Sequence, residues 1–539
     1  MKCPVWFANM QAFGSRQGFV ESDLNSLEFG GIRRLLERLA FSPYGADAAR
    51  NLEPAPSLAV AREMQAAVTA AREAIDAYAL PKLTAVPDVR AALRQAEQTG
   101  SALSPSALSN LRQIMQTGLM LRAFVADYPA LYRSVSDLKA PVGLVEALDK
   151  TITAAGRLKE DATPELLALH QQYHAARQQV ESQLKTRMQQ PDVAGVFEEN
   201  AKVHWHGSRG VLAVRGNFVE RIKGVRRGTT GGGRDVLLEP VEVVGYNNRL
   251  EVLGGQIEAQ NQIVLRAVTD EVRRFIPDLT QLLDAITWID LALAAGHLSA
   301  AMNAAPPELV ETPKIELKQA YHPQLLLQFM EKNIQQIKAL DITLDENQPM
   351  MVITGPNTGG KTVVLKTVGL LVTMAHCGLH IPSEGNCVIG NFNRIIVDVG
   401  DKQSLYHHLS TFAGHVEVLK RLLAEADEMT LVLMDELGTG TDPEEGAALA
   451  MAVLDELAAR KVHGIVTTHL SPLKGFAEQH AYLCNASMRF DFETLSPTYE
   501  LETGKAGQSL GLIVAEKNGL PAELVDKARH YLEGIAGRK

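Results

Sequence analysis

The chain has 539 residues, 46% hydrophobic, 22% charged and 5% aromatic, an ordinary globular balance that excludes a disordered or fibrous chain. At ~150 residues per domain it holds roughly three or four structural units. A net charge of −10 excludes a uniformly basic nucleic-acid binder but leaves room for a local basic surface.

Residues 1–23 show no clear period and read as an N-terminal extension. From Leu24 the pattern is helical: Leu27, Ile32, Leu35, Leu36 and Leu39 recur at helical spacings. Pro54, Pro56, Pro81, Pro87 and Pro105 cut this region, 24–162, into short helices. A longer helix is predicted to start at Thr163-Pro164-Glu165, with Thr163 as cap, Pro164 in the first position and Glu165 in the first turn. Leu166, Leu169, Tyr173, Ala176, Val180 and Leu184 form one apolar seam on it. That seam suits either a helix packed in a bundle or a projecting coiled-coil lever over 163–202.

Over 203–246 the period changes. Val203 to His206, Val211 to Val214 and Val236 to Leu238 are predicted strands, with Gly207 and Gly210 in the first turn. Between His206 and Arg234 lie Arg209, Arg215, Arg221, Lys223, Arg226, Arg227 and Arg234, opposed in that interval only by Glu220, and a Gly228 to Gly233 loop adjoins them. The segment is either a solvated hairpin face or a phosphate-contacting tip. Helical pattern resumes from about Asn247 to Asn303, with a break expected at Pro277. Pro306, Pro307 and Pro313 then close the segment 247–314. From 315 to 539 apolar β-type runs alternate with helical stretches. The unbroken run Leu431-Val432-Leu433-Met434 suits a strand buried on both faces, so an α/β domain is expected.

The chemistry lies in that last segment. Gly355-Pro356-Asn357-Thr358-Gly359-Gly360-Lys361-Thr362 matches the phosphate-binding loop pattern, between the strand-like Met350 to Thr354 and an apolar helix. Its glycines turn backbone N–H groups toward a phosphate, and the helix N-terminus adds its positive end. Lys361 is then expected to reach the β- and γ-phosphates of ATP, and Thr362 to hold Mg²⁺. Asp435 and Glu436 end a buried strand. Asp435 suits a contact to the metal, and Glu436 a base that orients the attacking water. Thr467-Thr468-His469 ends the next strand, which makes His469 a candidate γ-phosphate sensor. In Leu409 to His415, Ser410 or Thr411 is expected to cap a helix.

Cys3, Cys377, Cys387 and Cys484 show no CxxC spacing. Neither a disulfide framework nor a thiolate zinc site is expected, and a reducing compartment fits. No stretch reaches ~18 uninterrupted apolar residues; the richest, Val363 to Leu379, is broken by Lys366, and Met1 to Phe13 makes a poor secretory signal. The expectation is a cytoplasmic protein with no membrane partner.

The order of the loop at 355–362, Ser410-Thr411-Phe412, Asp435-Glu436-Leu437-Gly438-Thr439-Gly440-Thr441 and Thr467-Thr468-His469 resembles the MutS ATPases. Asp442 to Ala450, Asn485-Ala486-Ser487-Met488 and the opening from Leu27-Glu28-Phe29 to Ser42-Pro43-Tyr44-Gly45 are similar to the second bacterial MutS lineage, the paralogue associated with recombination control. The resemblance covers about 24–535. It implies a multidomain protein: a helical core (24–162) with lever helices (163–202 and 247–314), a small β-containing clamp facing DNA (203–246), and an ABC-type P-loop ATPase (315–539) that dimerises. It puts Ser410 in a signature segment reaching the partner subunit's nucleotide. The implied function is an ATP-hydrolysing homodimeric clamp on branched or non-standard DNA, limiting recombination or acting in repair. The alternative is a ribosome-associated ATPase acting on stalled ribosomes. Phe19-Val20-Glu21 has the letters of a mismatch wedge but no domain around it. The paralogue ends in a small nuclease domain called Smr; this sequence stops at Lys539, so that nuclease is not expected in this chain. The Thr229 to Gly233 loop also departs from the Ser- and Ala-containing loop of relatives.

Overall fold

The computed structural model describes residues 16, 18–81, 85–132, 141–197, 201–230, 233–332, 337–355, 360–400, 411–491, 496–507, 512, 515–516 and 519–536. The chain is a mixed helical and α/β protein with several sheets and two compact units. One unit comprises Met1–Ala85, Met120–Asp137 and Leu283–Lys539, the other Val86–Leu119 and Leu138–Leu282.

In the first unit, part of the presumed N-terminal extension is built into the fold. Gly18 bridges Arg394 in parallel, Ile395 N–H donates to Gly18 O at 3.1 Å, and Arg16 Nη1 donates to Phe392 O at 2.5 Å. Gly18 is required there: a Cβ would stand 2.3 Å from Asn393 O. The helix α1 (Glu21–Ser26) follows, and its buried Asp23 accepts from Val397 N at 3.2 Å and from Arg421 Nη2 at 2.8 Å. No hydrophobic period marks this stretch because backbone pairing and one buried ion pair hold it.

The second unit contains two long helices and a small sheet. α2 (Pro164–Met188) begins as its sequence predicts, with Thr163 Oγ1 accepting from Leu166 N at 3.2 Å and Pro164 first in the helix. α3 (Val241–Arg274) runs back beside it. Arg187 near the end of α2 pairs with Glu242 at 3.2 Å, whereas Tyr173, earlier in α2, lies over Gly254. The seam residues Ala176, Val180 and Leu184 pack with Val243, Leu250 and Leu253 of α3 and with Leu212, Val214 and Leu238 of the sheet. The seam therefore serves a helix pair closed by a sheet.

That sheet has strands β1 (His204–His206), β2 (Arg209–Arg215), β3 (Gly224–Thr229) and β4 (Asp235–Pro240), antiparallel in the order β1-β2-β4-β3. β3 had no sequence signal. It is an edge strand, nearly all exposed, with a bulge between Arg226 and Gly228, so no apolar alternation develops. α3 starts at Val241, six residues before the expected Asn247, because Pro240 both ends β4 and caps the helix. It stops at Arg274, and α4 (Ile276–Ala301) carries Pro277 in its first turn. Among the described residues α4 alone is long and apolar enough to span a bilayer, and 89% of that window is buried in the protein, as in a core helix.

The rest of the first unit holds two sheets. The larger has six strands in the order β10-β11-β12-β8-β13-β14: β8 (Met350–Thr354), β10 (Arg394–Asp398), β11 (Thr430–Met434), β12 (His463–Thr468), β13 (Leu483–Asp491) and β14 (Ser496–Thr503). The first five neighbours run parallel, and β14 is antiparallel. Every residue of β8, β11 and β12 is buried, as expected for strands covered on both faces. A smaller sheet orders β5 (Glu308–Val310), β9 (Val388–Gly390), β6 (Ile315–Ala320) and β7 (Leu340–Leu344). The parallel arrangement sends the loops after β8, β11 and β12 to one edge of the large sheet, where ligands of open α/β sheets bind.

Candidate nucleotide-binding site

α5 (Lys361–His376) follows β8. Its cap, Gly360, has φ +92°, and a Cβ there would stand 2.9 Å from the Tyr499 ring, so only glycine suits the position. Lys361 opens α5 almost fully buried, with Nζ donating to Gly355 O at 2.5 Å. Burial lowers its pKa, and the carboxylates of Asp435 and Glu436 pull the other way.

The end of β11 is held in several directions. Asp435 N–H donates to Asp398 O at 2.8 Å. Asp435 Oδ2 accepts from Thr362 Oγ1 at 2.5 Å, and its Oδ1 accepts from the Thr467 hydroxyl. Thr467, fully buried in β12, also accepts from Glu436 N–H on Oγ1 at 2.9 Å and from Leu437 N–H on its carbonyl at 2.9 Å. Glu436 itself has φ +53°. A non-glycine residue in the left-handed region costs on the order of 1–2 kcal/mol; the hydrogen bonds from β12 hold it there. His469 is exposed, one residue past β12, and Thr468 pairs with Thr354 in register, so His469 leaves the sheet level with Gly355. Asp442 caps the helix from Pro443, accepting from Glu444 N at 3.0 Å.

The structure thus assembles Gly355, Gly360, Lys361, Thr362, Asp435, Glu436 and His469 at one sheet edge. Pro356, Asn357, Thr358, Gly359 and Ser410 lie outside the described residues. The helix α6 (Thr411–Glu425) follows Ser410, and its His415 Nδ1 lies 2.6 Å from Oδ2 of the buried Asp398. Sequence reasoning missed this pair, and it gave Thr467 no role of its own. It also missed a cavity of about 310 Å³ beside Gly360, lined by His322, Lys338, Val363, Met488 and Tyr499. Those residues are scattered over more than a hundred positions, and no local pattern unites them. Burial lowers the His322 pKa to about 4, which keeps the ring neutral near pH 7.

Thr362 and Asp435 offer a hydroxyl and a carboxylate side by side. Hard oxygen donors of this kind fit Mg²⁺, which prefers one or two protein oxygens plus water and phosphate.

The basic segment proves heterogeneous. Glu239 of β4 is fully buried. It accepts from Arg209 Nη1 at 2.8 Å, Arg227 Nε at 2.6 Å and Asn247 Nδ2 at 2.8 Å. Burial alone would raise its pKa; these three hydrogen bonds outweigh it and the value is lowered. Arg209 also reaches Glu251 and Asn248 of α3. Glu220 is therefore not the only acid facing this cluster: β4 and α3 bring two more. Arg226 pairs with Glu220 at 2.8 Å, both exposed. The Arg221 guanidinium stacks 5.1 Å over Phe218. Arg215, Arg221, Lys223 and Arg226 are all exposed.

Residues 351–536 match the family model for MutS domain V. The parallel sheet, α5 following β8 and the Asp435-Glu436 strand end make this region an α/β domain of the MutS family. The chain belongs to that family, and within it to the MutS2 lineage. "Endonuclease MutS2" of Thermomicrobium roseum is 34% identical over 527 residues, covering 94% of this chain and 65% of the relative. The Thermus thermophilus protein of the same name is 34% identical over 514 residues, covering 94% and 66%. The "Putative endonuclease MutS2" of Bacillus subtilis is 31% identical over 513 residues, covering 94% and 64%. The chain thus spans about 65% of the length of the relatives it matches.

Proposed function

We propose that this protein is a Mg²⁺-dependent ATP hydrolase that works as a homodimeric clamp on branched or non-standard DNA in the cytoplasm, limiting recombination or acting in repair. The observation that carries the reading is the Thr362–Asp435 contact beside the buried Lys361. It supports a site where one strand end and one helix start jointly receive a metal-bound triphosphate. Mg²⁺, held through Thr362 and Asp435, would neutralise charge on the phosphates.

The remaining steps belong to the chain's own residues. Gly355 to Gly360 cradle the phosphates with backbone N–H groups, and Lys361 exchanges the Gly355 carbonyl for phosphate oxygen. Glu436, pinned by Thr467, orients the attacking water, and His469 contacts the γ-phosphate. Ser410 completes the partner's site. The cavity beside Gly360 takes the base. α2 and α3 act as lever helices and the β1–β4 sheet as the clamp tip. Binding there is to backbone and shape. Arg215, Arg221, Lys223 and Arg226 are the phosphate contacts, whereas Arg209 and Arg227 hold the tip together through Glu239.

Gel-shift on a four-way junction at several salt concentrations tests the clamp, with ribosome co-sedimentation alongside. Lys223→Ala with Arg226→Ala should flatten the log–log salt slope by roughly 1–2 units. An unchanged slope refutes those contacts. Binding to ribosomes with none to the junction refutes DNA as the ligand.

A further inference from the structure

Glu160 sits in the turn before α2. Lys159 N–H donates to Thr151 O at 2.8 Å, and Ala162 N–H to Lys159 O at 3.2 Å, so the backbone is pinned on both sides of Glu160. On α2 itself His170 and His174 stand at i and i+4, which places both imidazoles on one helix face. That face meets Glu160. His170 Nδ1 is 3.7 Å from Glu160 Oε1, and His174 Nε2 is 3.3 Å from Oε2. The three donor atoms lie within 4.8 Å of one another. Among the described residues these two histidines are the only ion-pair partners of Glu160.

We propose that Glu160, His170 and His174 form a binding site for a borderline first-row divalent cation such as Zn²⁺. Two imidazoles and one carboxylate are the donor set of three-ligand zinc sites, in which solvent takes the fourth corner. Paired histidines at i and i+4 of a helix supply two of the ligands in that arrangement. Bonds of ~2.0–2.2 Å at tetrahedral angles put neighbouring donors roughly 3.3–3.6 Å apart. The two Glu160–histidine pairs already have about that spacing. The imidazoles select Zn²⁺, Ni²⁺ or Cu²⁺ over Mg²⁺, which prefers oxygen. The site is thereby chemically distinct from the Thr362–Asp435 pair. His174 and Glu160 are more than half exposed, at 55% and 59%, so an ion can enter without unfolding. Once bound it would tie the turn before α2 to the second and third turns of that helix, stabilising the folded unit by mass action.

The test is calorimetric titration of the whole chain with Zn²⁺, without nucleotide and in excess Mg²⁺ to fill hard-oxygen sites. Wild type should show one site, and His170→Ala or His174→Ala should each weaken it at least tenfold, with Glu160→Gln weakening it comparably. Wild-type behaviour in both histidine variants would overturn the proposal, as would wild type taking up no more Zn²⁺ than the double histidine variant. A second measurement needs no variant. Zn²⁺ should shield His170 and His174 of wild type from diethylpyrocarbonate, read by mass spectrometry; equal modification with and without Zn²⁺ would overturn it too.

Discussion

Thr362 Oγ1 donates to Asp435 Oδ2 at 2.5 Å, joining the first turn of α5 to the end of β11 across 73 residues of sequence. Thr467 takes the other Asp435 oxygen from β12. The carboxylate is thus oriented before any ligand arrives, which is what a preorganised phosphate site requires.

Thr467→Val keeps the shape of a buried side chain but frees Asp435 Oδ1 and the Glu436 N–H. A hydrogen bond to a charged group contributes about 1.5–3 kcal/mol, and loss of such a supporting contact costs roughly 10–100-fold in metal affinity or activity. The Mg²⁺ concentration giving half-maximal ATPase should therefore rise. An unchanged Mg²⁺ titration would mean that Asp435 is held well enough without Thr467.

Glu436→Gln should bind ATP as wild type does and lose most hydrolysis. The cradle stays intact, while the loss of a general base typically lowers the rate ~10²–10⁴-fold. A filter-binding assay beside a phosphate-release assay separates the two effects; turnover near wild type would remove Glu436 from the role.

For the shared site, Lys361→Ala and Ser410→Ala should each be inactive, and mixing them under conditions of subunit exchange should restore part of the ATPase. One of the two sites in a mixed dimer then combines an intact loop with an intact signature. Activity at background, with exchange shown by tag pull-down and Ser410→Ala itself inactive, would rule out action of Ser410 on the partner.

In the second unit Glu239→Gln takes the anion from Arg227 and leaves Arg209 with Glu251 alone. Breaking a buried pair in this way costs about 3–5 kcal/mol, which urea unfolding should detect. The lowered pKa of Glu239 adds a pH signature. A depressed carboxylate contributes stability above its unfolded value and loses it as pH falls through the folded one. The gap between wild type and variant should accordingly narrow in acid.

Asp290 behaves in the opposite sense. Buried in the first unit, it accepts from Phe41 N and Ser42 N at 2.9 Å each and from Ser42 Oγ at 2.5 Å. Burial dominates these hydrogen bonds and pushes its pKa up from 3.8 to about 6. The folded state then holds a proton that the unfolded chain releases between those values, so the contribution is full below about 4 and gone above about 6. Relative to Asp290→Asn, wild type should gain on the order of 2 kcal/mol between pH 7.5 and pH 4.5. A pH-independent difference would show that Asp290 does not titrate there.

The sequence by itself determined the strand Met350–Thr354 and the helix opening after the glycine pattern, the strand carrying Asp435 and Glu436, the placement of His469 after the next strand and the cap of α2 at Thr163. Each depends on residues adjacent in the chain: a glycine pattern before a helix, an apolar run ending in acid, a cap followed by proline. Tertiary structure decided what those motifs touch. Nothing near Arg209 or Arg227 in sequence announces that β4 brings a buried Glu239 to both. Nothing near Gly18 announces its pairing with Arg394. Edge strand β3, the Thr467 anchor, the Asp398–His415 pair and the Glu160–His170–His174 cluster were hidden for the same reason. Pairings of this kind depend on where the chain returns in space, whereas helical and strand periodicity record only which face of an element is apolar.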